Sequence, residues 1–400
     1  MTLQRTKLNN RWMYIFFGII MMMLLGTVYS YSVFRVALER ELQIGAAESG
    51  MPYMVSLAFY ALFMCFTGRY IEKFSAKKVL IIGGLLVSIG WILSSFVTNI
   101  FLLTITYGGI SGAGVGIAYG VPMSVVAKWF PDKKGLAVGL VLIGFGLSPL
   151  ITAAIIRLLV ENFGVMRTFF ILGVSFAGIL PILAFTFKYP NDNELSDYKT
   201  ANKTEPNLIE IPLKEMIRTM SFKGVYGNFI IGTMIGLMMI GMTTSVGLDY
   251  FKLEASTVTR LISIFAIFNG LGRPIFGWIT DRYSSRTAMI MSYSLIALSA
   301  IGLVTLNNHI MVYILTFSIF WFNVGGWLAI APTSTINLYG IKNYSQNYGL
   351  VFTAYGIGAI AGVSTSGVLL DYYGNYHYVF YYIIALCLFG VALTIKYIKK

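Results

Sequence analysis

Twelve long apolar runs dictate what this chain can fold into. They begin near Trp12, Gly50, Lys78, Ile100, Lys134, Arg167, Gly224, Thr257, Thr287, Ile310, Ser345 and Tyr376. Each is long enough to cross about 30 Å of hydrocarbon as a helix. Inside a bilayer only helices and closed barrels satisfy every backbone N–H and C=O. A barrel needs short segments that alternate polar and apolar residues, whereas these runs are continuously apolar. Only 11% of the residues are charged, against about a quarter in a soluble domain. The chain therefore reads as an all-α membrane protein with twelve transmembrane helices, its surroundings a lipid bilayer.

A net charge of +13 raises the question of nucleic acid, but the distribution answers it. With both termini cytoplasmic, 22 of the 29 Lys and Arg fall on the inner side. Six fall on the outer side (Arg35, Arg40, Arg157, Arg167, Lys252, Arg260), and Arg273 is the one left over. This is the positive-inside asymmetry of a multi-pass protein of the cytoplasmic membrane, and no nucleic-acid partner is expected. The first run is too long for a cleaved signal peptide and reads as a retained helix. Cys65 and Cys387 lie inside apolar runs, and His309 and His377 in outer loops. No catalytic constellation, metal site or cofactor is expected, and a membrane-embedded enzyme is disfavoured.

The chain repeats itself. Gly68-Arg-Tyr-Ile-Glu72-Lys73 matches Gly277-Trp-Ile-Thr-Asp281-Arg282 at an offset of 209. Gly116 to Pro122 matches Gly326 to Pro332, and Gly139 to Gly146 matches Gly349 to Gly356, both at 210. Three matches in one order mark an internal duplication. The expected organisation is two pseudo-symmetric six-helix bundles, residues 1–187 and 224–400, joined by a polar cytoplasmic linker over 188–223 with a short interfacial helix near 208–220. In such two-bundle carriers substrate sits at mid-membrane between the halves.

The costliest residue lies in the eighth run. Arg273 stands near its middle, where an arginine costs at least about 2.5–3.5 kcal/mol on insertion scales. All 16 Asp and Glu fall in loops or at the ends of runs, so no carboxylate pairs with it at depth. Its nearest polar neighbour on the same face is Asn269, four residues earlier, expected to hold the guanidinium without neutralising it. An uncancelled, bidentate cation suits a carboxylate ligand. The alternative is an arginine bonded to helix carbonyls or to a tyrosine. Aromatic residues with polar handles sit on runs that would wall a cavity: Tyr29 in the first, Tyr119 in the fourth, Trp327 in the tenth, Phe352 and Tyr355 in the eleventh. Such a wall around one cation suits a small carboxylate with a short carbon tail, although each ring taken singly reads as packing.

Other motifs read structurally. Gly108, Gly112, Gly116 and Gly120 recur every fourth residue, which lets a neighbouring helix approach closely. They do not form a nucleotide-binding loop, for no strand precedes them. Pro122 and Pro332 bend or end their helices.

The stretches that carry chemistry also carry a resemblance. The loops built on Gly68, Glu72, Lys73 and on Gly277, Asp281, Arg282 resemble the loop motif of the major facilitator superfamily, whose role there is a conformational latch. Asn9-Asn10-Arg11-Trp12, Tyr29 to Phe34, Asn269 to Arg282 and Asn347 to Gly356 resemble the oxalate/formate antiporter family of that superfamily, related to the monocarboxylate transporters. The resemblance implies that Arg273 is the substrate-binding arginine. It also exposes departures. The oxalate exchanger places a second cation, a lysine, on the eleventh helix; this chain has Thr353, Ala354 and Tyr355 there. Proton-coupled relatives carry Asp where this chain has Asn269, and a Lys on the first helix that is missing here.

One cation balances one carboxylate. The expected function is thus a monomeric secondary transporter that moves a small monocarboxylate (lactate, pyruvate or formate-like) by alternating access, coupled to a proton or a counter-anion. A dicarboxylate–monocarboxylate exchanger drawing a second cation from Arg35 is one alternative. A transporter-like sensor is the other.

Overall fold

The computed structural model describes residues 2–70, 74–130, 134–191, 210–306, 309–340 and 343–398. Twelve helices are long and apolar enough to span a membrane: α1 Arg11–Leu42, α2 Ala46–Gly68, α3 Ala76–Ser94, α4 Ile100–Trp129, α5 Leu136–Phe163, α6 Val165–Ala184, α7 Met220–Tyr250, α8 Ala255–Arg282, α9 Ser285–Thr305, α10 Ile310–Tyr339, α11 Gln346–Tyr373 and α12 His377–Tyr397. No strand occurs among the described residues. An even number of crossings returns the chain to the side it started from. One face of the bundle therefore carries both ends, and is called here the terminal face; the other is the far face.

Local chemistry sets the joints. A tight 3₁₀ stretch over Gly26–Ser30 interrupts α1, and a wide π-helical stretch over Thr104–Ser111, containing two adjacent glycines, interrupts α4. Helix α7 begins at Met220, where Thr219 caps it: its hydroxyl accepts from the Phe222 N–H at 3.1 Å, the usual role of Thr at that position. The linker helix expected near 208–220 is a single turn, Leu213–Met216; residues 208 and 209 lie outside the described ones. The linker's end is tied down, with the Ile211 N–H donating to the Tyr339 carbonyl and the Asn347 amide to the Ile211 carbonyl.

The duplication is visible in the packing. In the first six helices the principal pairs are α1 with α5, α2 with α4, and α3 with α6. In the second six they are α7 with α11, α8 with α10, and α9 with α12, the same pairs displaced by six helices. Two seams join the halves, α2 against α11 and α5 against α8, and they too exchange under that displacement. Large apolar side chains such as Ile182 on α6, Leu298 on α9 and Leu388 on α12 are about two-thirds exposed, which is lipid-facing surface in a membrane protein.

Small residues make the close approaches. The α4 glycines lie along α2, where a Cβ on Gly112 would press on the Ser56 backbone and one on Gly108 would meet Val55 at 3.0 Å. Gly325 on α10 is packed against the Asn269 carbonyl of α8. A side chain there must force two helices apart, and overpacking of this kind costs at least about 1–3 kcal/mol. Gly325→Val is expected to lower the melting temperature in detergent by several degrees. Gly139→Ala, whose added methyl meets no atom within 4 Å, should leave it unchanged. Equal melting of both variants with the parent would contradict the packing argument.

Candidate functional site

The site is built on the α5–α8 seam. Asn269 and Arg273 lie one turn apart on α8, both buried, facing α5. Helix α5 passes because residue 146 is glycine: a Cβ there would stand 2.7 Å from Asn269 Oδ1 and 3.2 Å from the Gly270 nitrogen. Toward the far face the seam is held by Ser263 Oγ, which donates to the Leu150 carbonyl at 3.1 Å. Beside Arg273, Pro274 lies inside α8 and offers no N–H to the carbonyl one turn back.

Arg273 Nη1 donates to the Leu142 carbonyl of α5, so the guanidinium reaches from one half to the other. Its carbon lies 6.0 Å from the centre of the Phe145 ring, at the outer limit of a cation–π contact. The carbonyl-bonded alternative is thus realised at one nitrogen. The other two, Nε and Nη2, are buried and make no hydrogen bond among the described residues. These two share one edge of the guanidinium plane, the edge that takes a carboxylate with two parallel bonds. Asn269 does not hold the guanidinium, since neither Nδ2 nor Oδ1 has a partner among the described residues. The expected orienting role passes to Leu142.

Aromatic side chains from both halves meet beside this pair. Tyr29 of α1 and Tyr355 of α11 share a hydrogen bond between their hydroxyls at 2.8 Å. Phe352 stacks on Tyr355 with ring centres 5.0 Å apart. Tyr119 meets Phe145 edge-on at 5.2 Å and is 6.2 Å from Phe352. Tyr60 of α2 sits at the centre, 5.0 Å from Tyr119, 5.3 Å from Phe352 and 5.6 Å from Tyr355. Arg273 meets this cluster at the Phe145 ring, which places the cation at the edge of the cluster. A cavity of about 230 Å³ lies between this cluster and the terminal face, lined among others by Met64, Gly68, Lys128, Tyr344 and Tyr348.

Of the residues singled out in the sequence, Arg273, Asn269, Tyr29, Tyr119, Phe352 and Tyr355 are brought to this region. Trp327 is not. It is buried between α7 and α9, against Gly232 and 5.3 Å from the Tyr293 ring. Tyr60, Phe145 and Tyr348 were missed. Tyr344, Tyr348, Phe352 and Tyr355 recur at helical spacing, a signal that would have marked Tyr348; nothing distinguished Tyr60 or Phe145. Of the latch residues, Gly68 lines the cavity, while Glu72 and Lys73 lie outside the described residues. Gly277 packs loosely, Ala329 lying 3.8 Å from where its Cβ would be. Asp281 is exposed and meets the Asn337 amide of its own half at 3.5 Å, a weak contact; Arg282 is exposed.

Arg35 requires a correction. It is not available as a second cation for a ligand: it lies within α1, which continues to Leu42, and is 1% exposed. Its Nε donates to Glu39 Oε1 at 3.2 Å and Ser49 Oγ at 3.0 Å, Nη1 to the Gly241 carbonyl of α7 at 3.2 Å, and Nη2 to the Ala46 carbonyl at 2.6 Å. Arg273 is therefore not the only buried cation, but Arg35 is paired with Glu39 and bonded at all three of its nitrogens. Close by, Asp371 of α11 accepts from the N–H groups of Ala46 and Ala47 at 2.7 and 2.8 Å, capping the first turn of α2 from the other half. Between α11 and α12, burial raises the Tyr376 hydroxyl above its ordinary range, helped by the adjacent Asp249 carboxylate. The Arg35–Gly241 and Asp371–α2 contacts stitch the halves together at the far face.

Two six-helix bundles with a cation between them are the architecture of a secondary carrier. The profile of the Major Facilitator Superfamily matches residues 15–336 and 226–400, and the chain belongs to that superfamily. It is 26% identical to the oxalate:formate antiporter of Oxalobacter formigenes, over 92% of this chain and 87% of that protein. It is 28% identical to monocarboxylate transporter 12 of Xenopus laevis, over 83% of this chain and 78% of that one. Its fold matches that of a bacterial homologue of the human lysosomal transporter Spinster, with a TM-score of 0.67 at 11% identity over 96% and 94% of the two chains. The chain is a transporter, not an enzyme.

The Tyr29–Tyr355 bond joins the halves within the cluster. A buried neutral hydrogen bond contributes about 0.5–1.5 kcal/mol. In a double-mutant cycle of Tyr29→Phe and Tyr355→Phe, read by unfolding in mixed micelles, a coupling of that size is expected. Strict additivity would show that the hydroxyls do not depend on one another.

Proposed function

We propose that this transporter carries a small organic monocarboxylate across the cytoplasmic membrane by alternating access, with the carboxylate taken on the Nε/Nη2 edge of Arg273. The observation that carries the reading is that this edge is buried without a partner among the described residues. No Asp or Glu lies within the central part of α8 to cancel its charge. A buried cation left in this state costs free energy that an anion recovers. Tyr29, Tyr119, Phe352 and Tyr355 supply an apolar wall with a few hydroxyls, suited to a short carbon tail.

The terminal face is the cytoplasmic one by the positive-inside rule, and the protein works as a monomer, its site lying between its own two halves. In the arrangement described here, the cavity lies at the terminal face and the seams close the far face. Transport then requires the Arg35–Gly241 and Asp371–α2 contacts to part. The Gly68/Glu72/Lys73 and Gly277/Asp281/Arg282 loops serve as latches at the other end. A proton carried on the substrate, or a second anion in exchange, supplies the coupling.

A dicarboxylate–monocarboxylate exchange is the second reading, supported by the likeness to an oxalate:formate antiporter. Two observations count against it. In the stretch of α11 where the resemblance would put a second cation, the chain has Thr353, Ala354 and Tyr355, and the Tyr355 hydroxyl is bonded to Tyr29. Arg35 is spent on Glu39, Ser49 and two carbonyls. A dianion on Arg273 alone leaves a net negative charge in a dry site.

Arg273→Ala is expected to abolish uptake of labelled lactate, pyruvate or formate in proteoliposomes while leaving the protein monodisperse. Arg273→Lys should lose about tenfold or more, because an ammonium lacks the planar two-donor edge. Full uptake by Arg273→Ala would rule the site out. Tyr355→Lys adds the second cation and should let oxalate compete where it did not before; unchanged competition would argue against charge matching as the basis of selection.

A further inference from the structure

We infer that the first six helices hold an anionic glycerophospholipid at the terminal end of the α3–α6 pair, with its phosphate on Lys77, Lys78 and Lys188 and an acyl chain along the exposed faces of the two helices. The site does not depend on which cargo is carried. Only its assignment to the cytoplasmic leaflet rests on the reading of the terminal face given above.

The apolar part is a groove. On α3 the positions Lys78, Ile82, Leu85 and Ile89 are exposed, a spacing of four, three and four that sets them in one stripe along the helix. On α6 an exposed stripe runs through Val174, Gly178, Ile182 and Phe185. Helix α3 starts at the terminal face and α6 ends there, so the Lys78 end of one stripe and the Phe185 end of the other lie at the same depth. Gly84 keeps the two helices close, for a Cβ there would meet the Leu180 Cβ at 3.0 Å. Gly178 does the reverse. A Cβ added to it would meet no atom within 4 Å, so it leaves a notch in the lipid-facing stripe, of the kind an acyl chain can fill.

Cations head the groove. Lys77 Nζ lies 3.5 Å from the centre of the Phe185 ring, a cation–π contact that ties the start of α3 to the end of α6. Lys78 is exposed at the head of the α3 stripe. Neither lysine makes an ion pair or a side-chain hydrogen bond among the described residues. Lys188 follows Phe185 closely and is positioned by Trp129, whose indole N–H donates to the Lys188 carbonyl at 2.9 Å. Residues 74–94 and 165–191 contain no Asp or Glu, so neither helix supplies a carboxylate of its own. Lysine stems of this length lie along apolar surface and carry their charge to headgroup level, where anionic lipids are the complementary partner.

The duplication supplies an internal control. Helices α9 and α12 pair as α3 and α6 do. At the offset of 209, however, Lys77 and Lys78 correspond to Arg286 and Thr287, and Phe185 and Lys188 to Thr394 and Tyr397. The paired lysines and the ring beneath them are absent from the second copy, where Lys396 lies over its own neighbour Tyr397 at 5.1 Å. The arrangement on α3–α6 is therefore not a consequence of the shared fold.

The test uses the full-length protein in neutral detergent, with native mass spectrometry reading the bound lipid. Offered equal amounts of dioleoylphosphatidylglycerol and dioleoylphosphatidylcholine, the parent should retain the first over the second by about tenfold or more, because several lysines act on one net negative charge. Lys77→Gln/Lys78→Gln should bring the two lipids within about twofold of each other. Arg286→Gln should leave the preference unchanged. Gly178→Leu, which fills the notch, should lower retention of phosphatidylglycerol. Glycerol phosphate, which has the charge and no chains, should not displace the lipid at equal concentration. Equal retention of the two lipids by the parent overturns the inference, as does a preference that survives the double lysine variant or falls equally in Arg286→Gln. Unchanged retention in Gly178→Leu, or displacement by glycerol phosphate, overturns it as well, since the site would then be an anion site without a chain groove. The parent comparison needs no variant, so poor folding of one does not rescue the idea. Binding is read in detergent without transport, so failure of the carboxylate reading leaves this result standing, and the reverse.

Discussion

One guanidinium sits deep in a bundle whose described residues offer it no carboxylate, and most of the central architecture answers to that fact. An arginine in such a place must be bonded or must be waiting for a partner. Arg273 is both. One nitrogen is bonded to the Leu142 carbonyl on the opposite half, and one edge remains for a ligand. Because the bonded partner belongs to the other half, whatever draws on the guanidinium also acts on the seam between the halves. Under the proposed function, recognition and movement are then linked through a single side chain. The glycine at 146, which lets α5 pass the Asn269–Arg273 face, is the structural condition for that link.

The two ends of the molecule are built differently. At the far face the contacts between halves are polar and specific: Arg35 to the Gly241 carbonyl, and Asp371 to the opening turn of α2. At the terminal face the halves border a cavity lined mainly by apolar and small residues, with Lys128 at its edge. The Tyr29–Tyr355 hydrogen bond stands between these regions as a further link across the halves. Polar locks of this kind suit a carrier, since they release without uncovering large apolar surfaces to water.

Much of this was legible in the residues. The twelve runs and the duplication at an offset near 210 announce two six-helix bundles, because helix-forming apolar length is read directly from composition, and the observed helix pairs repeat accordingly. Arg273 was legible for a physical reason too, as a charge at depth that carries its own cost. What was not legible concerns direction. Apolar counting does not say which side of a helix meets protein and which meets lipid. Trp327 was therefore expected at the cavity, when it packs against Gly232 and Tyr293. Tyr60 and Phe145, which pack in the centre of the aromatic cluster, looked like any other aromatic residues in an apolar run. Arg35 was legible as an outer-side charge offered as a second cation; only the side-chain geometry shows it turned inward, onto Glu39 and three neighbouring oxygens. Spacing alone placed Asn269 beside Arg273, and only the side-chain geometry shows that the two do not bond.

The central claim is that one positive charge selects a singly charged acid. Counterflow into proteoliposomes of the unaltered protein tests it most directly, with lactate, pyruvate, formate, acetate and oxalate offered in turn against a preloaded monocarboxylate. The account predicts that at least one of the monocarboxylates exchanges and that oxalate, which asks for a second cation, does not. Exchange of oxalate in preference to every monocarboxylate would contradict it.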